Sequence, residues 1–175
     1  MPQPVPLEQL DIPLNRDVFL RVLVRELAGT LEDVVGYEEA AGYVSLVGQN
    51  MGAWINDLYR KELGLSTLPR ELVAEVLADL KRRIQGDFCI VEQDAAKIVL
   101  RSSGCPFEDK VLDRPSMCMM TSNVFGVITA SNLGYAKVVL RETLARRDAG
   151  CLVVVYLQPS PEAEAADGRE YYGDK

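Results

Sequence analysis

The chain has 175 residues, 48% of them hydrophobic and 26% charged, a balance that suits one soluble globular domain with a proper core. Its formal charge of −7 argues against nucleic acid as a direct partner, because that affinity rests largely on Lys and Arg neutralising phosphates. Histidine is absent, which excludes Ser-His-Asp and Cys-His catalysis and leaves any metal to Cys, Asp, Glu, Met or backbone.

In chain order, residues 1–14 carry Pro2, Pro4, Pro6 and Pro13 and predict an extended arm. This start lacks the basic and apolar regions of a secretory signal, and no run approaches the ~18 apolar residues of a membrane span. A cytoplasmic protein without a membrane partner is expected. Asn15 caps a helix that closes at Gly36, with Val18, Leu23, Leu27 and Leu31 at helical spacing; Gly29-Thr30 marks a point for a bend or a split. A second helix runs from Tyr37 to Gly64. Ala40, Tyr43, Val44, Val47, Met51, Trp54, Ile55 and Leu58 form one stripe of it, and Gly42, Gly48 and Gly52 lie on or near that stripe, where small residues let another helix or a ligand approach. Thr67-Leu68-Pro69 opens a third helix that ends at Gly86, its Lys81-Arg82-Arg83 read as a solvated end complementing the dipole.

The pattern then changes. Phe88–Glu92 and Lys97–Arg101 read as strands around a tight Asp94-Ala95-Ala96 turn. A loop leads to a helix over 116–132, followed by two more β-rich runs, "YAKVVLRET" and "CLVVVYLQ". Residues 159–175 are acidic and apolar-poor, so a disordered tail is expected. The fold class is α+β: N-terminal helices (15–86) on an antiparallel sheet of two hairpins with an intervening helix (87–158), together one domain over 15–158.

Four cysteines remain: Cys89, Cys105, Cys118 and Cys151. In a reducing compartment they are core residues, ligands or redox thiols before they are disulfides. Cys89 sits mid-strand and reads as core. Cys105 lies in a loop before Pro106, Cys118 in a helix's first turn where free N–H groups favour a thiolate, and Cys151 at a strand start. All three can converge at one end of the sheet. Soft thiolates from distant segments suit zinc or an iron–sulfur cluster, yet buried free cysteines are also common as small hydrophobes. Spacing leaves both readings open.

The segment from "CPFEDK" through "SMCMMTSN" to "DAGCLVVVYL" resembles the methanogen output domain, a small sensory module, and more distantly the 4-vinyl reductase domain of bacterial ligand-responsive regulators. The likeness runs from about Gly86 to Leu157 and is carried by Cys105-Pro106-Phe107, Cys118 and Asp148-x-x-Cys151. It implies a regulatory module that binds an iron–sulfur cluster through Cys105, Cys118 and Cys151, with Glu142, Asp109 and Asp113 as candidates for a fourth ligand. Zinc held by the same thiols and Glu142 is the alternative, since Glu142 matches the glutamate that precedes the zinc-binding cysteines of the 4-vinyl reductase relatives. No thiol stands near Thr143, where those relatives have their middle cysteine. The resemblance further implies a homodimer formed by the N-terminal helices, with Val18, Phe19, Leu23 and Leu27 to spare, and a regulatory protein partner. Competing readings are a zinc-stabilised small-ligand-binding domain, a thiol- or cluster-dependent enzyme acting through Cys118, and a scaffold with inert thiols. No general base is identifiable beside Cys118, which disfavours the enzyme.

Overall fold

Asn15 begins the ordered helical layer: its side chain accepts a hydrogen bond from the Val18 amide at 2.9 Å, satisfying one of the free N–H groups of a helix start. Helix α1 (Arg16–Val35) follows without interruption. Gly29-Thr30 does not split it, and Gly29 is where the Arg114 guanidinium packs against the helix. The structure, a computed structural model, describes residues 11–173, and residues 11–14 have no regular structure. Residues 1–10 of the expected arm and 174–175 of the expected tail lie outside the described residues.

Helices α2 (Tyr37–Leu63) and α3 (Arg70–Arg83) complete the N-terminal part. Most of the apolar stripe of α2 faces outward: Tyr43, Val47, Met51, Trp54 and Leu58 are exposed, whereas Ala40 is buried and Val44 and Ile55 are half-buried. Its buried side is instead Ala40, Ala41, Ser45, Gly48, Gly52 and Asn56. A Cβ on Gly48 would stand 2.8 Å from the Asn123 Cβ, and one on Gly52 3.0 Å from the Val127 Cβ, so the two glycines set how closely α2 approaches the next helix layer.

That layer is α4 (Cys118–Leu133), a helix with no charged residue and buried residues around most of its circumference. A short 3₁₀ turn, Pro115–Met117, leads into it. Beneath lies a sheet of five antiparallel strands: β1 (Cys89–Gln93), β2 (Lys97–Ser102), β3 (Tyr135–Glu142), β4 (Cys151–Tyr156) and β5 (Arg169–Tyr172), in the order β1-β2-β4-β3-β5. The two expected hairpins are present, joined by β2 against β4 from Lys97↔Tyr156 to Ser102↔Cys151. Ile98, Leu100, Val138, Val153 and Val155 face the helices and form the main core with Phe88, Phe125, Ile128 and Leu77. Val99, Val139, Val154 and Tyr156 form a smaller core on the opposite face, covered by Ala163.

Ala163 belongs to α5 (Pro161–Ala165), inside the segment expected to be disordered. Ser160 caps α5 by accepting from the Ala163 amide at 3.1 Å, and Pro161 opens it. Strand β5 then pairs with β3 from Tyr135↔Tyr172 to Val138↔Arg169. Tyr171 is buried against α4, with its hydroxyl 2.9 Å from that of Ser122. A few well-placed side chains and a free sheet edge therefore order a segment whose composition is apolar-poor. The domain extends beyond residue 158 to include them.

Candidate functional site

Three cysteines remote in sequence line one small cavity between the α3 end, the α4 start and the β4 start. Each is delivered by a separate local device. Cys105 follows β2 in a loop clamped by Asp87, whose carboxylate accepts from the Ser103 amide at 3.0 Å, the Gly104 amide at 2.8 Å and both the Ser102 and Ser103 hydroxyls. These donors hold the Asp87 carboxyl down at about 2, against an ordinary 3.8. Cys118 is the first residue of α4, and the approach to it is tied to α1 through Glu32, which meets Arg114 at 3.3 Å and accepts from the Ser116 hydroxyl. Cys151 opens β4 after a turn held by Asp148, which accepts from the Thr143 amide at 2.7 Å, and by Arg147 paired with Asp113 at 2.7 Å.

The Asp87 clamp has a pH signature. Its folded value lies below the unfolded one, so its contribution is present above about pH 4 and is lost as the pH falls through about 2. Because Asp87 is exposed, solvent screening leaves this on the order of 1 kcal/mol. Asp87→Asn is expected to be less stable than the parent at pH 6 by that amount, with the difference shrinking towards pH 2 in urea titrations.

The fourth feature of the cavity is Lys81, read from the sequence as part of a solvated helix end. The structure buries it: it is 5% exposed, donates to Thr121 Oγ1 at 2.7 Å, and stands 5.4 Å from the ring centres of both Phe88 and Phe125. Burial lowers its ammonium to about 8, an effect the three thiols oppose. Among the described residues no carboxylate forms an ion pair with it. Its burial was legible in one respect, since Lys81 follows Val73, Ala74, Leu77 and Ala78 on the buried face of α3. A run of three cations concealed that register.

Burial also governs the thiols. It pushes Cys118 up to about 12, with Cys151 and Cys105 adding to the rise, and it raises Cys105 and Cys151 as well. The helix N-terminus expected to favour a Cys118 thiolate is outweighed by loss of water. The cavity itself is about 30 Å³, room for roughly one water, with Phe107 and Met117 among its walls.

The remaining expected site residues are elsewhere. Glu142 registers with Leu152 on the opposite face of the sheet and pairs with Arg101 at 3.7 Å, so it does not join the cysteines. A β-bulge between Leu140 and Glu142 separates it from Leu140, which does line the cavity. Asp109 pairs with Lys110 at 2.7 Å and Asp113 with Arg147, both away from the cavity. Cys89 is exposed on the edge strand β1, not core, with its sulfur 3.6 Å from the Arg101 carbonyl. Among the described residues, no three Cys, Asp or Glu side chains are grouped so as to hold a metal ion.

Beside the cavity, an apolar groove of about 270 Å³ opens between α1 and α2 and is lined by Leu27, Leu31, Tyr43, Val47 and Met120. Phe107 and Met117 line both spaces. No helix among the described residues is long and apolar enough to cross a membrane.

The fold is similar to that of a trafficking protein particle complex subunit 3 from Naegleria fowleri, solved covalently bound to palmitic acid, with a TM-score of 0.60 and 14% identity over 82% of this chain and 95% of that one. No curated protein matches the chain. The more distant likeness to the 4-vinyl reductase domain is not shown by these matches. The model of methanogen output domain 1 matches residues 23–156, which include α2, α3, the cavity and all three of its cysteines, and the chain belongs to that family.

Proposed function

We propose that the chain is a regulatory module that senses through an iron–sulfur cluster held by Cys105, Cys118 and Cys151 and signals by protein contact. The observation that carries this reading is the meeting of three remote thiols with a buried lysine that has no carboxylate partner. A closed zinc site would lack Glu142, which is on the other face of the sheet, and a cluster would need the cavity of about 30 Å³ to widen by movement of its Phe107 and Met117 walls. When bound, a cluster supplies a redox-active, oxygen-labile centre. The three cysteines would donate thiolates to it, Lys81 would offset negative charge, and Phe107 and Met117 would keep water out. Because the three candidate carboxylates are engaged elsewhere, any further ligand would have to come from a small molecule or a partner. Catalysis by Cys118 fits less well, since a thiol held near 12 is a poor nucleophile at neutral pH.

Output is assigned to the helical face. Phe19, Leu23 and Leu27 of α1 and Tyr43, Val47 and Trp54 of α2 are exposed, and a second copy could bury them symmetrically. Trp54→Glu is expected to halve the sedimenting mass from dimer to monomer. A parent chain that sediments as a monomer at about 100 μM would remove the homodimer and leave the face to a different protein.

A second reading rests on the apolar groove, whose walls Phe107 and Met117 also bound the thiol cavity. An apolar small ligand seated there would be felt at the cysteines. The palmitic acid bound to the fold neighbour supports an acyl chain as the kind of ligand such a groove would take.

Anaerobic purification with a visible spectrum and iron, sulfide and zinc assays tests the main reading. A brown protein with about four irons per chain is expected. Cys105→Ser, Cys118→Ser and Cys151→Ser should each abolish the colour, while Cys89→Ser keeps it. Equal metal content in the parent and the triple variant would sink the proposal.

A further inference from the structure

A second cavity lies along the far half of β3. Strand β5 pairs with β3 only between Tyr135 and Val138, so beyond Val138 the outer side of β3 opens into a groove of about 1010 Å³. In a chain of formal charge −7, Lys137, Arg141, Arg146 and Arg169 line this groove against only two carboxylates, Asp167 and Glu170. The groove also reaches Tyr37 of α2 and Met119 and Ser122 of α4.

The cations are incompletely satisfied. Arg141 shares Glu162 at 3.7 Å and donates to the Tyr156 hydroxyl at 3.2 Å. Arg169 donates to the Ser45 hydroxyl, and Arg146 reaches only the Leu140 carbonyl, at 3.4 Å. Neither has a carboxylate partner among the described residues. Lys137 is the strongest indication. It is 7% exposed, lines the groove, and makes no hydrogen bond or ion pair among the described residues. Its cross-strand neighbour Glu170 accepts from the Tyr135 and Tyr172 hydroxyls, at 3.0 and 2.8 Å, instead of pairing with it. The Lys137 stem is buried but its Nζ is not among the buried unpartnered atoms, so the charge is presented to whatever occupies the groove instead of to a bonded carboxylate.

We infer that this groove binds a small organic polyanion, with Lys137 at its floor and Arg141, Arg146 and Arg169 around it. Cations spread along the groove suit a ligand with two or more phosphate or carboxylate groups, which guanidinium forks engage in pairs. The volume lies at the upper end of small-molecule sites, about 300–1,000 Å³. This site is separate from the thiol cavity, sharing only Leu140 and β3 with it, and does not depend on what the cysteines hold.

Calorimetric titration of the full chain with pyrophosphate and with citrate, at matched ionic strength, tests the inference. Saturable binding of one anion per chain is expected for at least one probe. Stronger binding of pyrophosphate assigns phosphate chemistry, and stronger binding of citrate assigns carboxylate chemistry. Lys137→Met and Arg146→Gln should each weaken binding about tenfold or more, a loss typical of one charge-assisted contact. Arg101→Gln, which removes a cation outside the groove, should leave it unchanged. Urea midpoints establish that the variants are folded. Absence of saturation by about 10 mM of either probe, or equal affinity in the Lys137→Met, Arg146→Gln double variant, overturns the site.

Discussion

Phe125→Ala is expected to lower the unfolding free energy by about 3–5 kcal/mol, read as a fall in urea midpoint at unchanged slope. Phe125 is fully buried near the middle of α4 and belongs to the main core. Its ring meets Phe88 edge-on at 5.7 Å and an interplanar angle of 79°, the favoured aromatic geometry. It also supplies one of the two aromatic faces near the Lys81 ammonium, so truncation opens a cavity beside a charge that is already poorly solvated. A loss under about 1 kcal/mol would mean that the core does not close around α4 as described.

Lys81→Met is expected to act in the opposite direction. A lysine held at about 8 against an ordinary 10.5 costs the fold on the order of 3 kcal/mol at neutral pH, because the unfolded chain keeps its proton more readily. Methionine keeps the apolar stem and removes the charge. The metal-free Lys81→Met variant should therefore be more stable than the parent by up to about 3 kcal/mol below pH 8. The sign follows from the lowered folded value: above pH 8 the parent sheds the proton, its penalty fades, and the two chains converge by about pH 10.5. The Lys81 charge lowers all three thiols, so the substitution also alters their titration, and the comparison is read below pH 8, where burial keeps the thiols protonated. A less stable variant at pH 7 would show that Thr121 and the two phenylalanine rings already compensate the charge. If Lys81 balances a bound cluster, the same substitution should reduce iron content in the anaerobically purified protein, so that stability and loading move apart.

Much of this architecture was legible in the chain. Helix limits followed from Asn15, Gly36 and Gly64, and strand limits from alternation, because both are set by local backbone geometry and solvent contrast. The joining of Cys105, Cys118 and Cys151 was legible as a topological consequence, since a loop, a helix start and a strand start meet at one end of this sheet. Other residues depended on what lay across from them. Most of the apolar stripe of α2 faces outward because Gly48 and Gly52 let α4 come closer on the other side. Glu142 is separated from the cysteines by a one-residue bulge, and in a strand one residue exchanges the faces. Cys89 is exposed because β1 is an edge strand.

By itself the sequence determined the α+β class, the order of the elements through β4 and the absence of histidine chemistry, and its family resemblance singled out the three thiols as a set. Only the tertiary structure decided that Lys81 joins them, that Glu142 does not, and that the acidic C-terminal segment supplies the fifth strand. Composition and periodicity report each residue's preference between water and core. Whether a lysine is buried or a tail is ordered depends on a partner surface built by residues far away in the chain, and for Lys81 and Tyr171 that surface is α4.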